Sequence, residues 1–164
     1  MSELKPAAQR VQEALRARGL DSQVRHMRQT TRTAEEAAAA CGCAVGQIVK
    51  SLIFRGGRSG KPYLLLVSGA NRVDEKGVGE RIGEPLRRPD AAYVRDVTGF
   101  AIGGIPPLGH DAPLATFMDE ALLAYATVWA AAGTPDAVFA IAPAQLAEAT
   151  GATIVAVGRV TPGS

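Results

Sequence analysis

The chain has 164 residues, 47% of them apolar and 21% charged, with a formal net charge of +2. That is the composition of one soluble globular domain, spanning 1–164, with a core of its own, and no apolar run approaches the length that crosses a bilayer. The opening MSELKPAAQR lacks the apolar centre of a secretory signal, so a cytoplasmic protein is expected, and a charge of +2 does not by itself mark a nucleic-acid binder.

Leu4, Ala7, Ala8, Val11, Ala14 and Leu15 recur at three and four residues, which predicts an amphipathic N-terminal helix over about 4–18, ended near Gly19. Thr33 and Glu36 form a T-x-x-E capping box ahead of the alanine run 37–40, and Gly42 should stop that second helix. Cys41 and Cys43 sit one residue apart, a spacing that disfavours a structural disulfide. GQIVKSLIF reads as a strand, Gly56 to Gly60 as a turn, and Tyr63 to Ser68 as the returning strand. Asp74 caps a short helix from Glu75 to Ile82, which Gly77 and Gly79 weaken, and Asp90 caps another that ends before Gly99. TGFAIGGIPPLGH, residues 98–110, mixes helix- and strand-breaking residues with large apolar ones, as a tightly turned, rigid loop would. Strands follow at Leu114–Met118, Ala126–Ala131 and Ala137–Ile141, the last two flanking the turn Gly133-Thr134-Pro135-Asp136. Pro143 starts a helix to Thr150, and Thr153–Val157 is a final strand. Strand pairs interleaved with short helices predict an α+β domain with a mixed sheet.

Within GQIVKSLIF, Ile48, Lys50, Leu52 and Phe54 share one face and Val49, Ser51 and Ile53 the other. Both faces are largely apolar, so the strand is expected to be central and Lys50 to point at a covered surface. Two readings stay open: the lysine snorkels or pairs with a carboxylate, or its ammonium meets an anionic or carbonyl oxygen of a ligand. Gly103 and Gly104, stiffened by Pro106 and Pro107, could present bare N–H groups to an oxyanion or a ribose hydroxyl; an ordinary tight turn is the other reading.

Other motifs fail. GGRSGKP has Arg55 where a phosphate loop needs its first glycine, and Pro62 where it needs Ser or Thr. Cys41, Cys43, His26 and His110 lack zinc-site spacing, and no Ser-His-Asp order can be argued. His110 fits better as a loop anchor or pocket border than as a general base. Arg72, Lys76, Arg81, Arg87 and Arg88, beside Arg55, Arg58 and Lys61, read as a solvated face that could touch a phosphate backbone.

The order GQIVKSLIF, LLVSGANRVD, TGFAIGGIPPLGH and VWAAAGTPDAVFAI resembles the YbaK and prolyl-tRNA-synthetase-associated editing-domain family, over roughly residues 20–158. The resemblance implies a compact domain around a mixed, partly barrel-like sheet flanked by short helices. It implies hydrolysis of the ester joining a wrong amino acid to tRNA: a small one, of the Ala, Cys, Ser or Thr class, on tRNA(Pro) or a similar tRNA. The implied partners are the 3′ acceptor end of a mischarged tRNA and a prolyl-tRNA synthetase, with no DNA, no membrane, no metal and no cofactor. Lys50 matches the family's functional lysine, and Gly103 through Pro107 its G-x-x-x-P loop. On this reading Lys50, Gly103 and Gly104 serve catalysis, and Ser51, Asn71, Ile105, Pro106, Pro107 and His110 bind substrate. Pro106 stands where many relatives have a small polar residue. The rival is a non-catalytic tRNA-binding or regulatory module of the same fold, against which the retention of both Lys50 and the loop speaks.

Overall fold

The structure is a computed structural model that describes residues 4–160 apart from 30, 32, 112 and 113; the ends of the expected domain, 1–3 and 161–164, lie outside the described residues. Among the described residues, five α-helices form where the sequence places a start signal and an apolar stripe. Helix α1 (Pro6–Ala17) begins on a proline and buries Ala8, Val11 and Leu15. Helix α2 (Ala34–Cys41) opens on the full capping box: Glu36 N–H donates to Thr33 Oγ1 (3.0 Å) and Thr33 N–H to Glu36 Oε1 (3.2 Å). Asp74 accepts from Gly77 N–H at the start of α3 (Glu75–Ile82), and Asp90 from Tyr93 N–H at the start of α4 (Ala91–Thr98). Such a cap is worth about 1 kcal/mol. Helix α5 (Pro143–Thr150) again starts on proline.

The strands are β1 (Arg25–His26), β2 (Ile48–Gly56), β3 (Pro62–Ser68), β4 (Asn71–Val73), β5 (Leu86–Arg87), β6 (Ala115–Asp119), β7 (Val128–Ala131), β8 (Ala137–Ile141), β9 (Thr153–Val155) and β10 (Gly158–Val160). The main sheet runs β1-β8-β7-β2-β3-β6-β9, with β5 added to β2, while β4 and β10 form a separate pair. It is mixed: β2 is antiparallel to β3 and parallel to β7, and β3 is parallel to β6. The domain is thus α+β with β2 at the middle of its sheet.

Central placement explains the two apolar faces of β2. Val49 and Ile53 enter the larger core with Leu64, Leu66, Phe139 and the buried face of α1. Phe54 and Leu52 enter a second core with Leu65, Val67 and Val78. A third, small cluster joins Ile48 to Ala37 and Ala38 of α2.

Three expectations shift. The strand expected from Ala126 starts at Val128, because Glu120–Ala124 form a 3-10 turn capped when Ala121 N–H donates to Asp119 Oδ1 (3.0 Å). The last expected strand, to Val157, stops at Val155, and Val157 instead accepts from Asp74 N–H (2.9 Å). Strands β1, β4, β5 and β10 are two or three residues long and had no place in the sequence reading.

Candidate active site

Main-chain direction along β2 sets the site. Gly69 N–H donates to Ile48 O (2.7 Å) and Gly56 N–H to Lys61 O (2.8 Å), so the even-numbered residues turn their main-chain groups toward β3. By alternation, Val49, Ser51, Ile53 and Arg55 turn theirs to the opposite edge. There β7 pairs only with Ile48 and Val49, and β5 only with Arg55 and Gly56. Along that edge, away from β3, no strand pairs with Ser51 or Ile53 among the described residues.

The sequence supplies both interruptions. The register Arg55↔Arg87 puts Pro89 opposite Ile53, and proline has no N–H for that rung. At the other end the pairing of β7 with β2 stops at Ala130, and Gly133 N–H donates to Gly104 O (2.8 Å) instead. The glycine loop is therefore joined to the chain at the place where β7 leaves β2.

A cavity of about 870 Å³ occupies this gap and wraps the strand, taking Lys50, Leu52 and Phe54 from one face and Val49, Ser51 and Ile53 from the other. Its wall also includes Gly103 and Ile105 of the loop, Arg72 and Arg88, and Trp129.

Lys50 is half-buried, and its Nζ donates to the main-chain carbonyl of Asn71 (2.5 Å). Burial lowers its pKa from the ordinary 10.5, against the opposing pull of the Glu35 and Asp119 carboxylates. No carboxylate lies within ion-pairing distance among the described residues, so of the two readings of this lysine, direct pairing with an acid does not apply. With one of its three protons on Asn71, two are left for a ligand oxygen or solvent.

Behind it stands a residue that sequence reasoning missed. Asp119 is 2% exposed and accepts from Ser68 N–H (3.1 Å), Asn71 Nδ2 (3.0 Å) and Ala121 N–H (3.0 Å). It fixes Asn71, whose carbonyl fixes Lys50. An acid at a strand end looks like a turn residue in sequence, and nothing local marks it as buried.

The loop is held from α1. Arg10 pairs with Asp111 and lies over the Phe100 ring, 4.5 Å from its centre. Phe100, Ile105 and Leu108 are buried in the larger core, which accounts for the apolar residues among the glycines. His110 Nε2 bonds the Pro106 carbonyl (2.8 Å). A Cβ on Gly104 would lie 2.7–2.8 Å from the main chain of Thr134, so only glycine fits there. Gly103, at φ 103°, is on the cavity wall beside Ile102, which is 60% exposed.

Of the residues singled out in sequence, Lys50, Ser51, Gly103 and Ile105 line one cavity. Asn71 stands behind Lys50. Gly104, Pro106, Pro107 and His110 are not part of the wall; they shape and anchor the loop, and Gly104 turns its N–H to Ala101 O (3.3 Å). Among the described residues, no three His, Cys, Asp or Glu side chains are grouped to hold a metal ion. No helix among them is long and apolar enough to cross a membrane.

The profile of the aminoacyl-tRNA editing domain matches residues 28–149. A solved structure provisionally described as a trans-editing enzyme for prolyl tRNA synthetase superposes with a TM-score of 0.90 at 49% identity, covering 96% of this chain and 99% of that one. The uncharacterised protein YwhH of Bacillus subtilis is 29% identical over 130 residues, 78% of this chain and 81% of YwhH. EbsC of Enterococcus faecalis, provisionally named a Cys-tRNA(Pro)/Cys-tRNA(Cys) deacylase, is 26% identical over 129 residues, 72% of this chain and 77% of EbsC.

Proposed function

This chain belongs to the aminoacyl-tRNA editing domain family, and from that premise we propose that it is a free-standing deacylase. It hydrolyses the ester of a tRNA mischarged with a small amino acid of the Ala, Cys, Ser or Thr class. The names of its similar proteins favour tRNA(Pro) as the carrier and a prolyl-tRNA synthetase as the enzyme it serves. One observation carries the reading: Lys50 and Gly103, fifty-three positions apart (103 − 50), line the same cavity at an open strand edge.

The chemistry asks little of the protein, because an aminoacyl ester is already activated relative to an amide. Water attacks the ester carbonyl carbon, the ribose oxygen leaves and takes a proton, and free amino acid and tRNA result. Gly103 offers an N–H to the carbonyl oxygen as it gains charge; one such donor is worth about 3 kcal/mol in a transition state. Lys50, held by Asn71, binds a phosphate or ester oxygen and fixes the scissile group in place. Arg72 and Arg88, exposed on the cavity wall, suit the phosphates of the acceptor end, and exposed Ile102 suits the face of the terminal base. Val49, Ile53, Ile105, Ala130 and Val138 make the wall on the Ser51 side apolar, which suits a short side chain.

A deacylation assay over a panel of mischarged tRNAs tests this. Wild type is expected to release at least one small amino acid, and Lys50→Ala to lose about 100-fold or more of that rate. Equal activity in Lys50→Ala would remove the lysine from the mechanism. Tight tRNA binding with no turnover on any member would favour a non-catalytic tRNA-binding module.

A further inference from the structure

The open edge of β2 has chemistry left over. Ser51 is half-buried, although its Oγ is buried and has no hydrogen-bond partner. What it shows the cavity is therefore main chain and Cβ. The N–H and C=O groups of Ser51 and Ile53 face this edge by the alternation fixed at Ile48 and Gly56. Main-chain groups out of bulk water are nearly always paired. Here, on the edge away from β3, no strand among the described residues supplies the pairing between the end of β5 at Pro89 and the end of β7 pairing near Gly133.

One amino-acid residue laid along such an edge completes a rung, its amino group donating to an edge carbonyl and its carbonyl accepting from an edge N–H. An aminoacyl ester is such a residue, with the difference that its amino group is a free ammonium. Lys50 projects from the face of β2 opposite Ser51 and its Nζ donates to Asn71 O, so it does not take the carbonyls of that edge.

We propose that the Ser51–Ile53 edge of β2 is the subsite for the α-ammonium group of the aminoacyl ester, which donates to a main-chain carbonyl of that edge. The proposal rests on the deacylase reading. It makes the enzyme select acyl groups with a free α-amino group, by main-chain atoms that no side-chain substitution removes.

The test therefore varies the substrate. The full-length protein is given its best aminoacyl-tRNA, the N-acetylated form, and the α-hydroxyacyl form in which hydroxyl replaces ammonium. Each enzymatic rate is divided by the spontaneous rate of the same ester. Both altered substrates are expected to lose about tenfold or more, the size of a lost bond to a charged group; unchanged rates would overturn the subsite. A second arm does not depend on turnover. The non-hydrolysable amide 3′-deoxy-3′-(alanylamino)adenosine is expected to shift the Ser51 and Ile53 amide signals in NMR and to bind about tenfold tighter than its N-acetyl form. Equal affinity, or no binding by either, would overturn the subsite while the deacylase reading stood on the tRNA assay. Absence of turnover on every aminoacyl-tRNA would sink that reading, and the binding comparison would still decide the subsite.

Discussion

Lys50 is under two opposed demands. Its charge is what a phosphate or ester oxygen needs, and burial disfavours that charge. With the folded-state pKa below the ordinary 10.5, the unfolded chain binds the proton more tightly. The lysine therefore opposes folding at neutral pH, and stability rises as pH climbs through the interval between the lowered value and the ordinary one. Lys50→Met is accordingly expected to keep or raise the thermal midpoint while deacylation falls about 100-fold or more. A midpoint lowered by several degrees would make the lysine a structural residue instead. Asp119 is the converse case. Asp119→Ala strands one buried donor, on Ser68, and two part-buried ones, on Asn71 and Ala121, and should cost about 2–4 kcal/mol in urea denaturation. Asp119→Asn keeps one acceptor oxygen and should recover part of that. Sequence exposed the first of these residues and hid the second. A lysine between apolar neighbours on a strand announces its burial, whereas two of the three partners of Asp119, Ser68 and Asn71, lie about fifty residues upstream and are joined to it only by the β3–β6 pairing.

At the scale of elements, the turn between β2 and β3 is fastened by Glu84. Its carboxylate accepts from Ser59 Oγ (2.6 Å), Ser59 N–H (2.8 Å), Tyr63 Oη (2.6 Å) and Arg58 N–H (3.0 Å). These bonds, the Ser59 hydroxyl first, hold its pKa down to about 2. A depressed carboxylate contributes stability that is complete above its ordinary value of 4.5 and is lost as pH falls through about 2. The stability gap between wild type and Glu84→Gln should be flat above pH 4.5 and close between there and pH 2; a gap independent of pH across that range would contradict this. In the glycine loop, Gly104→Ala drives a methyl group into the main chain of Thr134 and should cost about 1–3 kcal/mol. By displacing Gly103 it should also slow deacylation, so a variant with native stability and native rate would contradict the packing described here. Helices and a hairpin strand were readable from caps and turns: α2, α3, α4, β8 and α5 lie where Thr33, Asp74, Asp90, the turn Gly133–Asp136 and Pro143 place them. Strands β4 and β5 carry too few residues to show a period, and only the sheet they join makes them strands.

For the molecule as a whole, the proposed function follows from an incomplete sheet. A fully paired β2 would seal Lys50 into a core; a strand left open from Ser51 to Ile53 gives the cavity access to both faces and to the main chain between them. The sequence carried each part of this, in Pro89, Gly133, Gly104 and Lys50, without their meeting point. That meeting depends on parallel β2–β7 pairing across some eighty residues, which leaves no local signature. The direct test is a crystal structure of the protein with 3′-deoxy-3′-(alanylamino)adenosine. The ligand is expected in the cavity between Lys50 and Gly103, with its alanyl group against the Ser51–Ile53 edge. The same ligand bound in full elsewhere on the molecule, with that cavity holding only solvent, would contradict it.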